Sequence, residues 1–169
     1  MTAPLRILRL LAVVVWVGGL VFFAFVVAPV AFSVLPSTHM AGTVVAGTLG
    51  VLHWIALACG LVFLAAAAVL RARSSCARGL ISAQLWLVLA MIAASAAIQW
   101  RIVPAMERDR LAAGGEIDAA PREDPARLDF ERLHPLSERL EGAVLLAGLA
   151  VVVLIGLERS ADAGARRTG

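Results

Sequence analysis

Residues 79–100 read GLISAQLWLVLAMIAASAAIQW, with no formal charge along their length, and they decide the class of this fold. A helix needs about 20 apolar residues to cross a hydrocarbon core of about 30 Å. Three further stretches read the same way, at residues 10–35, 42–70 and 142–157. The last is the shortest, so its helix is expected to begin near Ser137 or Glu138, which draws Glu141 toward the membrane edge. The chain therefore reads as all-α, a polytopic four-transmembrane-helix bundle with spans near residues 8–35, 40–70, 79–103 and 137–157. Residues 104–136 are read as a polar loop and 161–169 as a disordered tail. Hydrophobic residues make up 61% of the 169 positions, against roughly 45–50% in soluble domains. No room remains for a second globular domain.

The arginines give the orientation. Arg6 and Arg9 precede the first span, Arg71, Arg73 and Arg78 fill the link between the second and third, and Arg159, Arg166 and Arg167 follow the fourth. The link at residues 36–41 has no charge. Basic residues are retained on the cytoplasmic side during insertion, so both termini are expected in the cytoplasm of a bacterial-type inner membrane, with the loop on the other side. That loop, with its flanking Arg101 and Glu141, holds ten acidic residues against seven arginines. A pI near 10.0 is then a product of topology and of attraction to anionic headgroups, and nucleic acid is not expected as a partner. The first apolar run is about 25 residues, well beyond the 7–15 of a signal-peptide core, so it is read as a retained span. Cys59 lies inside the second span and Cys76 in the basic link, which argues against a disulfide between them.

Each span has a readable face. Pro29 is expected to kink the first span by removing a backbone hydrogen bond, and Pro36 to end it, with Ser37 or Thr38 capping the next helix. In the second span His39, Gly42 or Thr43, Ala46, Gly50, His53, Ala56 and Gly60 recur at helical steps, a stripe expected to face the bundle. In the third, Gln84, Val88, Met91, Ser95 and Gln99 form a line whose glutamines are costly in lipid unless paired. Trp54, Trp86 and Trp100 suit either a lipid interface or the bundle. After Pro104 a helix end should project as far as Arg110. Residues 128–133 resume an amphipathic pattern, and Pro135 allows a break or a restart.

Trp16-Val-Gly-Gly19 with Phe22-Phe23, Ala28-Pro29 and Leu35-Pro36, then His53-Trp54, Gln99 through Pro104-Ala-Met106-Glu107, and Phe130 through Leu133-His134 to Ser137 together resemble the transmembrane protein 205-like family (domain of unknown function 4149). The resemblance runs over about residues 5–157 and implies four helices and no settled biochemical activity. It also implies an asparagine where this chain has Glu141. The layout is distantly similar to copper-resistance-D-like and four-helix haem-binding membrane proteins, an analogy of fold alone.

Ionisable groups inside a membrane mark candidate sites. His39, Gln99, Arg101, His134, Ser137 and Glu141 fall at the loop-side ends of the spans, and His53 lies deeper. Together they are read as an outward-facing polar pocket that binds or passes a small ligand or cation, or else as a hydrogen-bonded cluster that registers the helices. Arg101 and Glu141 sit at equivalent depths and are expected to pair. His53 is expected to bond Ser95 or backbone. The alternatives are a haem or metal protein and a membrane scaffold. Haem would use His53 with His134 or Met91, since His39 lies too far along the same helix to share one iron with His53; copper would draw on His39, Met40, Met91 and Met106. In a scaffold, small-residue faces would hold a second copy or another membrane protein. No Gly-x-Ser-x-Gly elbow or phosphate loop is present, so no enzyme is expected.

Overall fold

The computed structural model describes residues 3–73 and 78–165, with side chains through Arg159. Its helices are α1 (Ala3–Phe22), α2 (Ala28–Val34), α3 (Thr38–Arg73), α4 (Arg78–Ala97), α5 (Val103–Ala112) and α6 (Pro125–Ala165). A π-turn at Phe23–Val27 joins α1 to α2 and another at Ile98–Ile102 joins α4 to α5, so the chain forms four rods, all long and apolar enough to cross a membrane. Around the bundle α1 packs on α3, α3 on α4, α4 on α6, and α6 back on α1.

The packing follows a repeat of three and four. The buried positions of α4 and its π-turn are Ile81, Gln84, Val88, Met91, Ser95, Ile98 and Ile102. In α6 they are Val144, Gly148, Val151, Ile155 and Glu158. The inner two-thirds of α3 repeats the pattern with His53, Ala56, Gly60, Phe63, Ala67 and Leu70. Alternating steps of three and four place one seam of each helix against its neighbours, as in left-handed bundles. Gly148 sits where α6 packs tightly on α1 and α4, since a Cβ there would lie 2.5 Å from Val17 Cγ2 and 3.2 Å from Met91 Cε.

The three prolines inside the rods behave differently for one reason. Pro29 and Pro104 each follow a π-turn, in which the residue just before the proline bonds five residues back: Ala28 N–H to the Phe23 carbonyl, and Val103 N–H to the Ile98 carbonyl. In apolar surroundings no water is present to meet a freed carbonyl, and the wider turn relieves the clash with the proline ring. Pro135 lies in the polar start of α6, where water can take the carbonyl. It sits inside a continuous helix, so neither the break nor the restart that a proline allows there occurs.

The segment expected as a loop is largely helical. The third rod runs on to Ala112 and α6 starts at Pro125, ahead of the expected boundary near Ser137. Gly114 and Gly115 adopt positive φ, 85° and 99°, and the Gly115 N–H reaches back to the Arg110 carbonyl to close α5, a turn that glycine makes without strain. Arg127 holds the connection by donating to the carbonyls of Asp118 and Ala120. The Ser37 hydroxyl accepts from Met40 N–H and caps α3 as expected. At the other terminus the helix continues to Ala165, so the tail expected from residue 161 is helical that far. Cys76, Arg166 and Arg167 lie outside the described residues.

Candidate functional site

Two polar clusters lie inside the bundle, one toward each end. At the end nearer the α5–α6 hairpin, His53 of α3 meets Gln99 of the second π-turn and Glu141 of α6. His53 Nδ1 is 2.9 Å from Gln99 Oε1, and Nε2 bonds Glu141 Oε1. The imidazole is buried, at 1% exposure. With an amide oxygen as its partner, Nδ1 must carry hydrogen. The other ring nitrogen and Glu141 Oε1 then have one proton between them, held either as imidazolium and carboxylate or as imidazole and carboxylic acid. Glu141 Oε2 is buried without a hydrogen-bond partner.

Of the seven candidate residues, the structure brings together His53, Gln99 and Glu141. Arg101 does not pair with Glu141. It sits at an exposed position on the π-turn, and Glu141 turns to the imidazole instead, since α6 places it toward the bundle seam. His53 bonds Gln99 and Glu141 and not Ser95, whose hydroxyl is buried without a partner. His134 is exposed, stacked on Phe130 and 3.3 Å from Glu138. Ser137 donates to the His134 carbonyl in its own helix. His39 is half-buried nearly four helical turns from His53 along α3.

The face expected on the second span is inward only in part. His53, Ala56 and Gly60 are buried, whereas Thr43 and Ala46 are exposed. The reason is that α5 packs chiefly on α6 and leaves the first turns of α3 with α2 beside them. The cleft at this end, about 440 Å³, lies between α5 and α6 and is lined by Arg108, Asp109, Asp129, Arg132, Leu133 and Leu136. None of the seven candidates lines it.

The second cluster, near the chain termini, was not anticipated. Arg9 of α1 donates to Glu158 Oε2 of α6 at 2.7 Å, and the Gln84 amide of α4 donates to the same oxygen at 3.1 Å. The Arg9 guanidinium also lies 5.7 Å from the centre of the Phe63 ring. All three residues are at most 1% exposed. Arg9 reads in sequence as a topology signal and Glu158 as the edge of the tail. The signal that exposes both is register: Arg9 precedes Val13, Trp16 and Leu20 on one face, and Glu158 continues the α6 seam.

Both nitrogens of His53 are engaged by protein groups, and neither His39, His134 nor Met91 is among its hydrogen-bond partners. Among the described residues no group of three or more His, Cys, Asp or Glu is placed to hold a metal ion. The geometry therefore offers no ready haem or copper ligand set at His53. Trp54 and Trp100 are exposed and meet edge to face at 6.0 Å, and Trp86 is exposed as well, which assigns these three to the outer surface and leaves Trp16 in the core.

Residues 11–111 match the model of a domain of unknown function, DUF4149. The match takes in His53 and Gln99 and ends before α6 supplies Glu141. No curated protein and no solved structure matches the chain.

Proposed function

The chain belongs to the DUF4149 family, and on that premise we propose a non-enzymatic integral membrane protein that binds a small cation, the proton included, at His53, Gln99 and Glu141. The observation that carries the reading is the burial of the His53 ring between Gln99 Oε1 and Glu141 Oε1. Gln99 fixes the hydrogen on Nδ1, so the His53–Glu141 pair can gain or lose one proton without any other group changing partner. The unpartnered Glu141 Oε2 supplies a second acceptor for a bound cation. Buried pairs of this kind also register helices, and that role is compatible with a binding one.

In this reading the protein sits in a bacterial-type plasma membrane with both termini cytoplasmic and the α5–α6 hairpin outside. The resemblance to transmembrane protein 205-like proteins belongs to the same reading, supported by the order of its Gly, Pro and aromatic positions, and the likeness to copper-resistance-D-like proteins is one of four-helix layout alone.

The test is nitrogen NMR on imidazole-labelled protein in detergent. The His53 ring signals should respond to pH, and Glu141→Gln should displace that response. Lithium or sodium should raise the melting temperature of the native protein and leave that of Glu141→Gln unchanged. A His53 signal that neither titrates nor responds to Glu141→Gln, with no cation effect on melting, would overturn the proposal.

A further inference from the structure

We propose that the seams of the bundle form a proton pathway joining the His53–Glu141 pair to the Arg9–Glu158 pair, an inference that rests on reading the first pair as a proton site. The carrying observation is a set of buried side-chain atoms without partners. Glu141 Oε2, Ser95 Oγ, Trp16 Nε1, Gln84 Oε1, Glu158 Oε1 and two nitrogens of Arg9 all belong to it. Every one of these atoms belongs to a side chain on, or at the end of, a seam that faces another helix. In a membrane interior an unmet polar group costs several kcal/mol, and the usual remedy is an internal water with two to four polar partners.

The spacing suits a file of water. Measured from the Arg9–Glu158 pair at about 1.5 Å per residue, Trp16 lies about 10 Å along α1 and Ser95 about 16 Å along α4 from Gln84. Glu141 lies about 25 Å along α6. The polar atoms thus divide the distance into short steps, each within the span of a few hydrogen-bonded waters at about 2.8 Å. Ser95 is the informative member. A serine inside a membrane helix ordinarily bonds a carbonyl of its own preceding turn, and here the buried hydroxyl has no partner at all.

Each group has a distinct part. The proton enters on the His53–Glu141 pair and passes by way of water to Ser95, which can accept one hydrogen and donate another. Trp16 N–H can only donate, so it holds a water in place. The proton reaches Glu158 Oε1 and leaves to water at the terminal end, and each group returns to its starting charge. Between the clusters Val17, Met91 and Gly148 are packed so closely that even one added methyl would overlap Val17. A dehydrated metal ion would find no ligands there, and water can pass only in single file as the helices part transiently.

The experiment uses the full chain in phospholipid vesicles, with an internal pH dye and a potassium diffusion potential set by valinomycin. The native protein should acidify the vesicles faster than protein-free vesicles do, and Ser95→Ala and Glu158→Gln should remove the excess. Ser95→Ala leaves both ion pairs intact and reduces volume by one oxygen, so it keeps the test sound if Glu158→Gln fails to fold. Flux no greater than in protein-free vesicles, or full flux in Ser95→Ala, would overturn the pathway. If His53 still titrates with Glu141 in that same sample, the binding reading stands and only conduction fails; if the titration is absent too, both fall.

Discussion

Glu141 and Glu158 stand at the two ends of one face of α6, with Val144, Gly148, Val151 and Ile155 filling the alternating steps of three and four between them. Each carboxylate reaches a basic side chain on a different helix, His53 on α3 and Arg9 on α1. Their separation of about 25 Å is a little less than a hydrocarbon core of about 30 Å. Both pairs therefore fit just inside its two boundaries, where charge is less costly than at the midplane. The seam between them is apolar apart from Trp16 and Ser95, so the bundle is tied by polar contacts near its ends and by packing through its middle.

Removing Glu158 should be severe. Glu158→Leu leaves Arg9 buried beside Phe63 with no carboxylate, and stranding one member of a buried pair costs on the order of 3–5 kcal/mol. The double variant Arg9→Met with Glu158→Leu should recover much of that loss, because an apolar pair of similar volume needs no counter-charge. Unfolding in mixed detergent micelles measures both. If the single variant unfolds like the native protein, the Arg9–Glu158 pair is not structurally required.

The same measurement separates Glu141 from Arg101. A double-mutant cycle between His53→Ala and Glu141→Ala should give a coupling of about 0.5–3 kcal/mol, the range for groups in direct contact. Arg101→Gln, at an exposed position, should change stability by no more than about 0.5 kcal/mol. Equal coupling of Glu141 to Arg101 and to His53 would contradict the observed pairing.

Much of this architecture is legible in the residues alone. Four apolar runs give four rods, and the Gln84–Ser95 line gives the inward face of α4, because the cost of burying glutamine in lipid leaves few other solutions. What escapes is partner choice. Arg101 and Glu141 lie at similar depths, but depth does not say which way a side chain turns about its helix, and the seam of α6 carries Glu141 to His53. Arg9 escapes for a different reason: a basic residue before a first span already has an explanation in topology, so nothing prompts a search for its buried partner. The π-turns are equally silent, since Pro29 predicts a lost hydrogen bond and not the five-residue bond by which Ala28 compensates.

Close packing at the centre gives a third expectation. Gly148→Ala places a methyl within 2.5 Å of Val17, and overfilling of this kind costs about 1–3 kcal/mol. Gly142→Ala, where a Cβ would meet nothing within 4 Å, should be neutral or stabilising by up to about 1 kcal/mol through helix propensity. Combining Gly148→Ala with Val17→Ala should relieve the overlap. Melting temperatures in detergent decide it, and a Gly148→Ala protein as stable as Gly142→Ala would mean that the helices can move apart freely there.

The orientation of the bundle can be argued from its first hairpin. Arg6 and Arg9 lie in the first two turns of α1, whereas residues 36–41 beyond α2 carry no charge, and the first span commonly sets the topology of those that follow. The Arg9–Glu158 contact puts the start of α1 and the last turns of α6 at one end of the bundle, and Arg71, Arg73 and Arg78 flank the α3–α4 link at that same end, where Gln84 joins Glu158. A fluorescent protein fused after residue 169 should therefore fold and fluoresce in the cytoplasm, and alkaline phosphatase inserted at Gly115 should be active outside it. Phosphatase activity at the C-terminus, with none at Gly115, would invert the assignment. It would place the His53–Glu141 pair on the cytoplasmic side and reverse the direction in which a membrane potential drives protons toward Glu158.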